Sequence, residues 1–219
     1  MYAVREEVCG RKVALMERAA AKFLGLLTVG AHCNGFVRDQ QGRPHHLWIA
    51  QRALTKASDP GRLDNLVGCG VPWPETPHSA LRREGWEEAG FLPATMDQAA
   101  LQNVYRLSRP ESGGWHRQSL HVYDLAVPPE LEPKNLDGEV ASYRLLSIQA
   151  VLAHLRADHF TAEAAVVTLD FLSRYQLLDE LAQKEGRYAE LWRQSVGLGG
   201  ATETVGVGKN RLLAPYPYG

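Results

Sequence analysis

Apolar residues in the stretch 11–24 (RKVALMERAAAKFL) fall at Val13, Leu15, Met16, Ala19, Ala20, Phe23 and Leu24. That spacing has a helical period and stops at Gly25, so it predicts a helix over 11–24. From Leu26 to Phe36 the chain is apolar and small, Asp39-Gln40-Gln41-Gly42 has turn composition, and Leu47–Ala50 is a short apolar run. Together these predict a β-hairpin. Residues 54–67 read as a loop with a Pro60-Gly61 turn, returning to a strand near Asn65–Val67.

Residues 77–89 carry the clearest helix signal. Thr76 is placed to cap it, Pro77 takes the favoured first position, and Gly90 follows as a terminator. Strands are predicted at Gln102–Leu107, Ser119–Leu125 and Val140–Leu145, separated by loops at Pro110–Gly114 and Pro128–Gly138. Helices are predicted at about 147–156, 161–176 and 179–194. The tail from Gly197 to Gly219 reads as a flexible arm whose Leu212, Leu213, Tyr216 and Tyr218 can dock on a partner. Alternating strands and helices predict an α/β fold: an α/β/α sandwich on a mixed, curved sheet. The organisation expected is an N-terminal helix in 1–25, a main domain in 26–196 and the tail in 197–219.

Composition narrows the partners. The 219 residues hold 24 Lys+Arg against 25 Asp+Glu, a formal net charge of −1. That balance gives no electrostatic footprint for nucleic acid or a membrane surface, which leaves a small molecule as the expected partner. Cys9, Cys33 and Cys69 are scattered and odd in number, with no C-x-x-C pair, so neither a zinc site nor a disulfide framework is expected. A reducing, cytoplasmic setting fits. No apolar run approaches the ~20 residues that span a bilayer.

The chemistry gathers in GCGVPWPETPHSALRREGWEEAGF, residues 68–91. On a helix Glu84, Glu87 and Glu88 stand at i, i+3 and i+4, so three carboxylates share one face. Like charges so placed cost roughly 0.2–0.5 kcal/mol per pair, and a hard cation relieves that cost. An all-carboxylate set without His or Cys suits Mg²⁺ or Mn²⁺ rather than Zn²⁺. The plainer reading is a solvated acidic face, with Arg83 pairing along the helix to Glu87.

The stretch resembles the Nudix box, G-x5-E-x7-R-E-U-x-E-E-x-G-U with U aliphatic. Glu75, Arg83-Glu84, Glu87-Glu88, Gly90 and Phe91 stand at its spacings. Three positions depart from it: Cys69 replaces the leading glycine, Gly85 the aliphatic residue after Arg-Glu, and Phe91 the final aliphatic. The resemblance implies that Glu84, Glu87 and Glu88 bind the metal and that Arg83 holds Glu75 as a loop brace. It places Arg83, Glu87 and Glu88 in the catalytic set, together with Glu139 from the later NLDGEV loop.

GAHCNGFV (30–37), residues 47–70, VYDLAVP (122–128) and NLDGEV (135–140) resemble the thiamine pyrophosphokinase-related Nudix subgroup. That implies hydrolysis of a small-molecule diphosphate, with oxidised thiamine diphosphate cleaved to the monophosphate as the narrower expectation. Arg52 and Lys56 are candidates for phosphate oxygens, and Asn34 and Asn65 for a heterocycle. Trp48, Trp73 and Tyr123 are candidates for stacking. Surface charge, turn capping and core packing are the respective plain readings. A homodimer is expected from the apolar C-terminal helices, the aromatic tail and the resemblance. Alternatives are a nucleoside diphosphate or ADP-ribose pyrophosphatase, an isopentenyl-diphosphate isomerase using Cys69, and a non-catalytic nucleotide-sensing module.

Overall fold

The computed structural model describes residues 1–5, 11–111, 114–178 and 203–205. Strand β3 (Leu27–Arg38) is its axis. β3 turns at Asp39, whose carboxylate accepts the backbone N–H groups of Gln41 (2.9 Å) and Arg43 (2.8 Å), and returns as β4 (Pro44–Arg52). The predicted hairpin is therefore present, with Gly35 opposite Trp48.

On its other edge β3 runs parallel to β8 (Gly114–Ala126), from Leu27–Arg117 to Phe36–Ala126. β6 (Val67–Gly70) pairs with the first half of β3. β5 (Leu63–Asp64) and β9 (Val140–Ser147) pair with β4, and β7 (Ala100–Glu111) with β8. The result is the expected mixed sheet.

Strand alternation gives the sheet two apolar faces. Ala31 and Cys33 of β3 pack with Leu66, Val67 and Leu125 against Ala80, Leu81 and Ala89 of helix α2 (Pro77–Ala89). On the opposite face Phe36, Leu47 and Ile49 meet helix α4 (Ile148–Arg156) and helix α5 (Ala162–Arg174) through Val151, Leu152, Phe171 and Leu172. The architecture is the α/β/α sandwich read from the sequence.

α2 is fixed at both ends. Thr76 and Ser79 cap each other's backbone N–H, Pro77 takes the first turn, and Gly90 closes the helix at φ 67° against the carbonyl of Lys134. Beyond it, short helix α3 (Pro93–Met96) buries Met96 under α2.

Three expectations need correction. Residues 11–24 are not one helix. Lys12–Met16 is strand β2, paired with β1 (Tyr2–Arg5), and only Arg18–Phe23 is helical, as α1. KVALM alternates as well as it recurs, and a neighbouring strand satisfies its backbone, which outweighs a weak helical propensity. Extended Glu17 (φ −63°, ψ 150°) separates the two elements.

The loop expected at Pro110–Gly114 is mostly strand, since β7 runs to Glu111 and β8 begins at Gly114. Pro110 is tolerated there because it lies beyond the stretch of β7 paired on its outer edge. That outer partner is β10 (Glu203–Val205), opposite Val104–Arg106, so part of the expected flexible tail is a strand. The helix expected at 179–194 and the tail residues Leu212, Leu213, Tyr216 and Tyr218 lie outside the described residues, as does Cys9. Among the described residues no helix is long and apolar enough to cross a membrane.

Candidate active site

The helix α2 carries Arg83, Glu84, Glu87 and Glu88 on its middle turns. Arg83 is the hub. Its Nε and Nη2 donate to Glu75 Oε1 (2.9 Å) and Oε2 (3.1 Å), a bidentate clasp that ties the loop before the helix to the helix itself. Its Nη1 lies 2.9 Å from Glu84 Oε1 and 2.7 Å from Glu87 Oε2. One guanidinium thus serves three carboxylates, and its pKa is raised, chiefly by the bond to Glu75.

Glu88 faces inward and is only 6% exposed. Burial pushes its carboxyl well above the usual range, Glu84 and Asp64 push the same way, and Lys56 and the N–H of Gly68 oppose them. Burial also raises Glu84, against Arg83 and with help from Glu87 and Glu139. Crowded, partly desolvated carboxylates of this kind are the donor set for a hard divalent cation. Among the described residues no three His, Cys, Asp or Glu side chains are grouped to hold a metal ion, and Glu87 Oε2 accepts from Arg83 Nη1 at 2.7 Å. Mg²⁺ does not require such a cage: it binds through one or two carboxylates and keeps waters and substrate phosphates as its other ligands. The residues fit Mg²⁺ or Mn²⁺.

Beside Glu88 opens a cleft of about 240 Å³, lined by Ala50, Arg52, Lys56, Asp64, Asn65, Gly68, Glu139 and Val140. The end of β4 and the loop after it deliver Arg52 and Lys56. Arg52 bonds Asp64 Oδ2 (3.0 Å) and the carbonyl of Ser58 (2.9 Å), and Lys56 pairs with Glu139 across the cleft. Glu139 stands on a turn whose N–H groups are taken by Asn135 and Asp137 side chains, and its carbonyl accepts Ala53 N–H at 2.9 Å. The cleft therefore brings together Arg52, Lys56, Asn65, Glu88 and Glu139 from the sequence candidates.

Asn65 lines the cleft, but its amide is spent inside the protein, on His32 Nδ1 (2.9 Å), Asn34 Oδ1 (3.1 Å) and Thr168 Oγ1 (3.1 Å). Asn34 is not brought to the cleft. It is 1% exposed and donates to Asp124 (2.9 Å) and to the Val167 carbonyl (3.4 Å). Trp48 and Tyr123 are core residues, whereas Trp73 stays half-buried beside Glu75.

Asp64 was missed from the sequence. It is 6% exposed, fixes Arg52, and lies 3.6 Å from His32. The signal was its place in the run Asp64-Asn65 after Arg52-x-x-x-Lys56. Two of the three box departures, at Cys69 and Gly85, also have structural reasons. Cys69 turns into the core beside Val67 and Ala31, where burial pushes its thiol well up, while Gly68 faces the cleft. At Gly85 a β-carbon would stand 2.6 Å from Met96 Cγ, so the aliphatic expected there is supplied from α3.

The chain is 37% identical over 162 residues to Nudix hydrolase 20, chloroplastic, of Arabidopsis thaliana, covering 73% of this chain and 42% of that protein. It is 34% identical to an isopentenyl-diphosphate Delta-isomerase of Streptomyces coelicolor over 58% of this chain and 61% of that one. The chain spans about half the length of the plant and yeast relatives it matches. A solved Deinococcus radiodurans protein, DR0079, shares the fold at a TM-score of 0.55 and 22% identity, covering 76% of this chain and 96% of that one. Residues 29–167, from β3 into α5, match the NUDIX domain, and the chain belongs to that family.

Proposed function

We propose that this chain is a divalent-metal-dependent hydrolase that cleaves a diphosphate linkage in a small organic molecule. One observation carries the reading: Glu88 of α2 lines a cleft whose other wall presents Arg52, Lys56 and Glu139, and Glu84 is near enough to act on both Glu88 and Glu139. Glu84, Glu87 and Glu88 would hold Mg²⁺ or Mn²⁺, which when bound stabilises charge on phosphoryl oxygens and acidifies water. Arg52, aimed by Asp64, and Lys56 bind phosphate oxygens. A phosphate that takes Lys56 releases Glu139 from its ion pair, and the freed carboxylate accepts a proton from the attacking water. Arg83 keeps the loop and helix in register through Glu75.

Within this reading the substrate is oxidised thiamine diphosphate, cleaved to the monophosphate. A neutral oxidised ring costs less to desolvate than a cationic thiazolium. The test is a phosphate-release and product-mass screen with Mg²⁺, covering oxidised and intact thiamine diphosphate, nucleoside diphosphates, ADP-ribose and isopentenyl diphosphate. A kcat/KM at least about tenfold higher for the oxidised form is expected. Turnover of nucleotides alone would move the substrate, and no metal-dependent turnover of any would sink the hydrolase reading.

The isomerase relatives favour a second reading, and the geometry opposes it. The thiol that such chemistry needs in the cleft is buried in the core at Cys69. Double-bond migration in isopentenyl diphosphate would reverse that judgement.

Cytoplasmic location and a homodimer complete the proposal. The reduced Cys33 and Cys69 are consistent with the first. Exposed Phe23 and Leu24, beside the exposed Trp115, support the second. A sedimentation mass of 24.3 kDa would refute the dimer.

A further inference from the structure

The N-terminal hairpin β1–β2 lies over the loop that leads into α2. The carbonyl of Met1 accepts the N–H of Trp73 at 2.9 Å, and the Tyr2 hydroxyl fills the space over Gly70, leaving no room for a β-carbon there. Between hairpin and loop is an open pocket whose empty space, solvent at its mouth included, is about 350 Å³. Val29, Val71 and Pro72 give it an apolar surface, Tyr2 and Trp73 bring aromatic rings, and Arg5 and Glu75 bring charge.

That composition selects a ligand class. Two aromatic side chains beside aliphatic ones suit a flat ring, and flanking charges of both signs suit ring heteroatoms. An alkyl chain would use the apolar surface alone. The indole of Trp73 already holds two cations: Lys12 Nζ lies 3.8 Å and Arg5 Cζ 5.9 Å from its centroid. Lys12 is an exposed surface side chain, and an exposed cation–π contact is weak enough for a stacked ring to displace.

The pocket also adjoins the acidic helix. Glu75 borders it and is clasped by Arg83, whose same guanidinium touches Glu84 and Glu87. Two side chains, Glu75 and Arg83, link a ring seated here to Glu84 and Glu87.

We propose that this pocket binds the heteroaromatic ring of the diphosphate substrate, with Trp73 as the stacking residue. The proposal rests on the hydrolase reading for its substrate, and its test is independent of turnover. AMP, thiamine monophosphate and inorganic phosphate would be titrated by calorimetry into the full chain with Mg²⁺. At least one ring-bearing monophosphate should bind the wild type. Trp73→Ala should weaken it by about tenfold or more, Trp73→Phe by less than about threefold, and neither should change inorganic phosphate. Ala3 also lines the pocket, and Ala3→Phe, which fills it and leaves Trp73 in place, should weaken the same ligand.

No binding by either ring-bearing monophosphate would overturn the proposal. So would unchanged affinity in Trp73→Ala and Ala3→Phe, or an equal loss for inorganic phosphate. A chain that passes this test but cleaves no diphosphate refutes the hydrolase reading alone. A chain that cleaves diphosphates but fails it refutes the ring pocket alone.

Discussion

Replacing Glu88 by Gln should make the metal-free protein more stable while removing its activity. Glu88 is 6% exposed and faces the carboxylates of Glu84 and Asp64, with Lys56 and the Gly68 N–H as the compensating groups. The amide keeps the volume, can still accept from Gly68, and donates where the carboxylate repels. Removing a buried, repelled charge while keeping the side-chain volume should gain about 1–2 kcal/mol. For a chain of this size that is a rise in Tm of roughly 2–8 °C.

Mg²⁺ should then separate the two proteins. At a hundredfold excess over Kd, binding stabilises the wild type by about 2.7 kcal/mol, and the variant far less. Turnover of the best diphosphate should fall by about 100-fold or more. Thermal unfolding with EDTA or Mg²⁺, beside phosphate release, reads all three quantities. A metal-free variant that melts below the wild type would refute the electrostatic argument. A variant that keeps its Mg²⁺ upshift and its turnover would refute the ligand assignment.

Three further outcomes follow from the geometry. Arg83→Lys keeps the charge but loses the fork that spans Glu75, Glu84 and Glu87, so turnover should drop by about 10–100-fold in phosphate-release assays; wild-type rates would count against the hub. Gly85→Ala gains about 1 kcal/mol in helix propensity but forces fully buried Met96 aside, at about 1–3 kcal/mol. Urea unfolding should show a net loss, and a net gain would mean that Met96 moves freely. Burial holds the His121 imidazole neutral, pushing its pKa down to about 4. The unfolded chain takes up that proton first, so stability is full above about pH 6.5 and is lost on acidification toward 4. His121→Gln should flatten the melting profile in that window, and an unchanged slope would refute the contribution.

What the sequence made legible was local. The caps of α2 lie at most five residues from the groups they serve, and its carboxylates share one turn. The helix follows from spacing, while the clasp between Arg83 and Glu75, eight residues apart, was implied by the resemblance to the Nudix box. The β3–β4 hairpin is local too, because Asp39 closes its own turn. Non-local features escaped. β3 lies beside β8 across some 90 residues of sequence, and no periodicity carries that pairing. Asp64 gains its meaning from Arg52, His32 and Glu88, which arrive on β4, β3 and α2. Asn34 and Asn65 looked available for a ligand because their partners, Val167 and Thr168, come from α5 more than a hundred residues later. Lys12–Met16 became a strand only because Tyr2–Arg5 was there to pair with it.

The same long-range gathering explains why the cleft, on the proposed reading, needs a metal at all. Its lining sets two cations, Arg52 and Lys56, against three carboxylates, Asp64, Glu88 and Glu139. Both cations are already paired, Arg52 with Asp64 and Lys56 with Glu139, and Arg83 is absorbed by Glu75, Glu84 and Glu87. A diphosphate entering this cleft alone would add negative charge to a surface with none of its positive charge to spare, and in a partly desolvated site that repulsion is poorly screened. A divalent cation reverses the sign. Glu88 and its neighbours on α2 would hold it, and it would supply the positive charge the cleft lacks, so metal and substrate would each raise the other's affinity. Lys56 then has a phosphate to exchange for Glu139, and the carboxylate released beside the scissile bond has a proton to accept. The ion pair across the cleft keeps that base occupied until a phosphate arrives.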